Sequence, residues 1–382
     1  MKIDSLVIHG GISSDKTTGA VNVPVYLSST FKQPEFGVNL GYEYARTGNP
    51  TREAVEKLIS DLEGGVRGFA FASGMAATST VLNLFKSGDR ILINNNLYGG
   101  TFRVIDKVFS NFGLKYDIVE DFNTFDFSTI SEDVKGVFIE TPTNPLLSIT
   151  DIKRVAEEAK KKNLTVIVDN TFMTPYFQNP LSLGADVVVH SATKYLGGHS
   201  DVVAGLAVTN NTEIAERLAF LQNSIGAVLP PFDSYLLVRG IKTLSVRLDK
   251  HADNAQKIAE YLKAHEAIEE VFYPGLKDHP GHEIQKAQAR GFGGVVSFKL
   301  KEGYDFKKFI NSLELITFGE SLGGIESLLC HPASMTHAAL PVELRERIGI
   351  KDNLLRISVG IENFEDLRDE IEQAIINSKE EK

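Results

Sequence analysis

The 382-residue chain has a single cysteine, Cys330, and no tryptophan. One cysteine excludes an internal disulfide and agrees with a reducing compartment. No stretch approaches the roughly 20 apolar residues that a membrane-spanning helix needs. The opening MKIDSLVIHGGISSD also lacks a basic segment followed by an apolar core, so a cytoplasmic location and no membrane partner are expected. Positive charge is in short supply: 40 Lys and Arg stand against 50 Asp and Glu, for a net charge of -10, and the basic face that a nucleic acid requires would have to be built against that background. Neither G-x-G-x-x-G nor G-x-x-x-x-G-K-[ST] occurs, which removes the usual opening signals of nucleotide enzymes. There is no internal repeat, low-complexity tract or long like-charge block. A small-molecule substrate is the remaining default.

What is present reads as a soluble globular protein, 42% hydrophobic and 24% charged. Its length suggests two domains and an arm, divided as 1–58, 59–248 and 249–382. The first 48 or so residues are rich in Gly, Ser, Thr and Pro and show little periodicity, like an arm that needs a neighbour to be ordered. Regular structure is expected from Asn49, which can cap a helix begun by Pro50 and ended at Gly64. Short apolar runs then alternate with amphipathic helices: FAFA (69–72), RILIN (90–94), GVFIE (136–140), TVIVD (165–169) and DVVVH (186–190). These runs lack period-two alternation, so both faces are covered, as in a parallel sheet flanked by helices. The helix TDIKRVAEEAKKK places Ile152, Val155, Ala156 and Ala159 on one face. Residues 233–264 read as one long helix, followed by strand-like VVSFKL, LITF, ESLL and LLRISV in a smaller α+β domain. The fold class is α/β.

Ligands of open α/β sheets sit at the carboxyl ends of strands, and three such ends carry unusual chemistry. Ser73, Gly74 and Met75 open a helix whose free amides favour an anion. Asp169 closes an apolar strand, where a carboxylate is costly unless a cation meets it. Lys194, in HSATKYLGGHSD after another strand, is an amine that desolvation would turn into a nucleophile able to form a Schiff base. Each has an ordinary alternative: a solvated flank for Lys194, a turn cap for Asp169, a common Ser-Gly helix start at 73. Together they suit an aldehyde-bearing pyridine with a phosphate tail.

The motifs YEYARTGNPT (42–51), ASGMAA (72–77), LYGGTFR (97–103), ETPTNP (140–145), VDNTF (168–172), HSATKYLGGHSD (190–201) and LLRISVGIE (354–362) run almost end to end in order. With them the chain resembles the Cys/Met metabolism family of pyridoxal-phosphate enzymes, which includes cystathionine γ- and β-lyases, cystathionine γ-synthases and methionine γ-lyases. The resemblance implies the aspartate-aminotransferase-like fold, type I of the pyridoxal-phosphate transferases, with residues 59–248 holding the cofactor. It implies pyridoxal 5'-phosphate held covalently by Lys194, with Asp169 on the pyridine nitrogen. Gly74 and Met75 amides and Ser191 and Thr193 hydroxyls would lie on its phosphate, and Tyr98 would stack on its ring and act as acid or base. Tyr44 and Arg46 of the arm would reach the phosphate of the neighbouring subunit, making a homodimer with shared sites and, by family habit, a tetramer. Arg356 would take the α-carboxylate of an amino-acid substrate, supported by Ser321 and Asn144. A buried ion pair is the ordinary alternative for Arg356.

The expected reaction is carbon–sulfur cleavage, with γ-elimination of L-cystathionine preferred and β-elimination next. Gly100 stands where methionine γ-lyases of the family have a cysteine, which lowers that option. Glu320 beside Ser321 suits the distal ammonium of cystathionine. Two unrelated readings compete: GESLG (319–323) matches the G-x-S-x-G elbow of serine hydrolases, with Glu326 and His331 or His337 as partners. The loop HPGHE (279–283) offers histidines to a metal, although solvated turn residues are the more ordinary reading there.

Overall fold

The computed structural model describes residues 1–11, 13–336, 338 and 342–380. Its larger sheet comprises β1 (Arg67–Phe71), β2 (Arg90–Asn94), β3 (Lys115–Val119), β4 (Val134–Glu140), β5 (Thr165–Asp169), β6 (Val187–Ser191) and β7 (Gly205–Thr209), in the order β1-β7-β6-β5-β4-β2-β3. Only β7 runs against the rest. Alternation is absent from the strands other than the edge strand β3 because both of their faces are buried. Val166 and Val168 of β5 and Val188 of β6 join one apolar cluster, while Ile167, Val187 and Val189 join the cluster on the other face.

Flanking helices begin and end where side-chain chemistry allows. Asn49 Oδ1 accepts from the amides of Thr51 (2.9 Å) and Arg52 (3.3 Å), and Gly64 ends the helix Pro50–Glu63 at φ 73°. The helix Ile152–Lys161 buries the four expected residues and is capped by Asp151. One element contradicts the expectation of an unstructured start: Ile3–His9 is helical, with Val7 buried in the same cluster as Leu58 of the helix Pro50–Glu63. Seven residues are too few to display a helical period, so packing rather than pattern makes this helix.

The long helix expected over 233–264 is two helices, Pro231–Ile241 and Leu244–Ala264. The break serves the turn after β6. Arg247 donates to the carbonyls of Gly240 (2.7 Å) and Tyr195 (2.8 Å), and a Cβ at Gly240 would lie 2.3 Å from the Gly197 oxygen. Close approach and a carbonyl shared with a guanidinium override the apolar periodicity, which continues straight through the break.

The second sheet comprises β8 (Ile268–Phe272), β9 (Val295–Leu300), β10 (Thr317–Phe318), β11 (Leu328–Cys330) and β12 (Leu354–Ser358), in the order β10-β11-β12-β9-β8. It is antiparallel except for the β10–β11 pair. Its own apolar cluster joins Val296, Phe298, Leu355 and Ile357 to Ile258 and Leu262 from the helix Leu244–Ala264. In the arm, Val21, Leu27, Phe36 and Leu40 are exposed, and isolated bridges such as Thr30 to Tyr44 are its only strand pairing among the described residues.

Candidate active site

A cavity of about 390 Å³ opens where the carboxyl ends of β4, β5 and β6 meet loops of the second sheet. It is lined by Gly74, Met75, Tyr98, Asn144, Asp169, Ser191, Thr193, Lys194, Glu320, Ser321 and Arg356. Eleven positions singled out from separate parts of the sequence are thus brought together. Tyr44 and Arg46 are not: both are exposed and away from this cavity, with Arg46 bonded to the Asn223 carbonyl and its guanidinium 5.7 Å from the Tyr44 ring centroid.

Lys194 follows β6 in a run of tight turns, with Lys194 N donating to Ser191 O (3.2 Å) and Gly198 N to Lys194 O (2.8 Å). Its Nζ donates to Ser321 Oγ at 2.8 Å. Burial, then the nearby charge of Arg356, lowers the ammonium pKa to about 8, with Glu320 opposing. About a tenth of the amine is therefore neutral at pH 7, far more than for an ordinary lysine, and the neutral form is the one a nucleophile requires.

Arg356, in the middle of β12, is 1% exposed. It donates to Asn144 Oδ1 (2.9 Å) and to the Ser321 carbonyl (2.7 Å), while its Nε has no partner. Among the described residues no carboxylate meets it, so the ion-pair alternative fails. A guanidinium buried with neutral acceptors alone is costly, and an anion entering the cavity would relieve that cost.

Asp169 accepts from Thr171 N at 2.9 Å. Burial raises its pKa, against the pull of Thr171 and His190. No Lys or Arg meets its carboxylate among the described residues. At the other end, Ser73 Oγ caps the helix Gly74–Leu82 by accepting from Ala76 N (3.0 Å), leaving the Gly74 and Met75 amides with no acceptor among the described hydrogen bonds. Gly74 is small for a reason: a Cβ there would lie 2.8 Å from the Ser191 Cβ. Thr193 Oγ1 is engaged with Ala204, donating to its carbonyl and accepting from its amide (3.0 Å).

Tyr98 precedes the helix Gly99–Lys107, 40% exposed. Burial of its hydroxyl raises its pKa. Gly100 leaves space for its ring, since a Cβ at 100 would lie 2.5 Å from Tyr98 Cε1. Glu320 lines the cavity, exposed, with no ion pair among the described residues.

Sequence reasoning passed over Glu140, Thr171 and Thr336, which also line the cavity. Glu140 was findable, because it ends the apolar run GVFIE as Asp169 ends TVIVD. The hydrolase reading is corrected: GESLG lies between β10 and β11 with no helix after it, and the Ser321 hydroxyl is bonded by Lys194. Glu326 is bonded to Ser200, and His331 to Ser334 and the Asp352 carbonyl. His337 lies outside the described residues. In HPGHE, His279 and His282 are buried rather than solvated, with His282 bonded to the Pro274 carbonyl and stacked on Phe292. Among the described residues no group of three or more possible metal ligands exists.

An anion cradle, an unpaired carboxylate and an amine of lowered pKa face one space. That donor set fits pyridoxal phosphate, which presents a phosphate, a basic ring nitrogen and an aldehyde.

The family model for Cys/Met metabolism PLP-dependent enzymes matches residues 4–376. A cystathionine beta-lyase of Lactococcus lactis subsp. cremoris is 56% identical, covering 98% of each chain. A cystathionine gamma-lyase of Bacillus subtilis is 53% identical, covering 99% of this chain and all of its own. The crystal structure of a Lactobacillus plantarum cystathionine gamma-lyase complexed with L-serine superposes with TM-score 0.96 at 50% identity, covering 99% of both chains. With this likeness over nearly its whole length, the chain belongs to the Cys/Met metabolism PLP-dependent enzymes, with their type I fold and their pyridoxal-phosphate cofactor.

Proposed function

We propose that the chain is a carbon–sulfur lyase of trans-sulfuration that cleaves L-cystathionine by γ-elimination, with water, to cysteine, 2-oxobutanoate and ammonia. The observation that carries this reading is Arg356, a buried guanidinium without a carboxylate partner on the same cavity as the Lys194 amine. That pair suits an α-amino acid, whose carboxylate the arginine takes while its α-carbon faces the lysine.

When bound, the cofactor supplies an electron sink for charge developing on the substrate. Lys194 would hold the cofactor aldehyde at rest and would then remove the α-proton, its Nζ steered by Ser321 Oγ. In γ-elimination the same amine would first give up the α-proton to the cofactor's aldehyde carbon and then take a second proton, from Cβ, while Tyr98 hands a proton to the departing sulfur. Asp169 would keep the pyridine nitrogen protonated. The Gly74 and Met75 amides would hold the phosphate with Ser191 and Thr193, whose hydroxyl would have to share its Ala204 contact. Asn144 orients Arg356, and Glu320 faces the distal ammonium. Tyr44 and Arg46 serve the phosphate of the neighbouring subunit, in a homodimer with shared sites that pairs into a tetramer. No helix among the described residues is long and apolar enough to cross a membrane, in keeping with a cytoplasmic enzyme.

β-Elimination is the second reading, favoured by the Lactococcus relatives named as β-lyases. The same side chains serve it, with one proton removal fewer. Incubation of the holoenzyme with L-cystathionine decides: cysteine with 2-oxobutanoate is expected, whereas homocysteine with pyruvate replaces γ- by β-elimination.

A further inference from the structure

We infer that Glu140 is a positioning residue of this site, one carboxylate whose two oxygens hold Tyr98 and Asn144 in place through their main-chain N–H groups. The inference rests on the roles proposed above for those two residues. Glu140 Oε2 accepts from Tyr98 N at 2.8 Å, and Oε1 accepts from Asn144 N at 3.0 Å. Asn144 passes the constraint on, because its Oδ1 accepts from Arg356 Nη1 at 2.9 Å. The acid's own base is fixed, with Glu140 N donating to Asn94 Oδ1 at 2.8 Å. A single group at the end of β4 thereby ties the tyrosine over the ring site to the arginine at the carboxylate site.

Only a carboxyl group meets both demands. Ionised or protonated, a carboxyl group keeps acceptor capacity on both terminal oxygens, whereas glutamine presents one acceptor and one NH2 donor. An amide at 140 would aim its NH2 at one of the two N–H groups and leave that group unpaired. Aspartate is one methylene short.

The placement is also costly, which argues against a casual one. Glu140 and Asp169 are lateral neighbours in the β4–β5 register, so their side chains leave the same face. Glu140 is 5% exposed; burial, then the charge of Asp169, raises its pKa, against the pull of the Tyr98 and Asn144 N–H groups. A neutral residue would remove that repulsion. A second acid beside Asp169, satisfied only by the amides of two site residues, is the signature of a group kept for the site rather than for the core.

The test uses holoenzyme carrying Glu140→Gln. Two changes are expected: a weaker visible circular dichroism of the bound pyridoxal phosphate without substrate, because the Tyr98 end loosens, and a KM for L-cystathionine raised about tenfold with a smaller change in kcat, because the Arg356 end loosens. In a double-mutant cycle, Glu140→Gln should add little to the KM of Asn144→Ala, since both act through one contact. Additive KM effects overturn the inference. So does a Glu140→Gln protein with wild-type KM and dichroism, even if its Tm or kcat falls, because that assigns the acid to the scaffold alone. If Glu140→Gln does not fold, Asn94→Ala removes the acceptor of Glu140 N and should give the same two changes at smaller size; neither change overturns the inference. The dichroism needs no substrate, so a wild-type protein that leaves cystathionine intact counts against the lyase reading, while a Glu140→Gln dichroism equal to wild type still overturns this inference and a weaker one still supports it.

Discussion

Lys194 is the residue on which the proposed chemistry turns, and its environment makes a prediction of definite sign. The amine is protonated below its pKa of about 8 and neutral above it. Only the neutral form attacks an aldehyde. Capture of pyridoxal phosphate by the cofactor-free chain should therefore accelerate as pH rises through about 8 and level off above, followed by the absorbance of the bound cofactor. A rate that is flat from about pH 7 to about pH 9 removes the depressed amine from the account. Lys194 and Asp169 were readable in sequence because each puts charge at the end of an apolar strand. Glu140 carried the same mark without a motif role attached to it. Arg356 was ambiguous in sequence, since only the folded surroundings reveal whether a buried arginine has an acid; here it has carbonyl oxygens instead.

At the scale of elements, the reversed strand β7 supports the start of the helix Gly74–Leu82. A Cβ at Gly205 would lie 2.0 Å from Ser73 O and 2.8 Å from Gly74 N, both main-chain atoms. Gly205→Ala must move that turn. We expect pyridoxal-phosphate affinity to fall about tenfold or more, read by cofactor titration, with far-UV dichroism little changed. Strands with dense apolar runs were legible: β2 and β5 coincide with RILIN and TVIVD. β3, with only its last residue buried, and β8, with one, have no such run to read. The division of the helix expected over 233–264 was hidden for a different reason. Nothing local breaks the period at Gly240; the cause is Arg247 and the turn after Lys194, contacts that exist only in three dimensions.

At the scale of the molecule, Tyr44 and Arg46 do not line this chain's cavity, and the role proposed for them lies in a neighbouring subunit. The arrangement predicts complementation: Lys194→Ala lacks the amine but keeps a working arm, while a Tyr44→Phe, Arg46→Ala chain keeps the amine and lacks the arm. Mixed after dissociation and reassociation, two nearly inactive preparations should regain about a quarter of wild-type activity, the share expected if half the dimers are mixed and each has one complete site. No recovery in mixed dimers, verified by mass, contradicts shared sites. The order of the cavity walls along the chain has a further consequence. Every wall residue from Ser73 to Val203 precedes β8, whereas Glu320, Ser321 and Arg356 follow it. On the roles proposed above, this chain's walls assigned to the vitamin-derived coenzyme are all translated before Arg356, so synthesis arrested between them would leave a chain that has Lys194 and lacks the residue assigned to choosing what that amine meets.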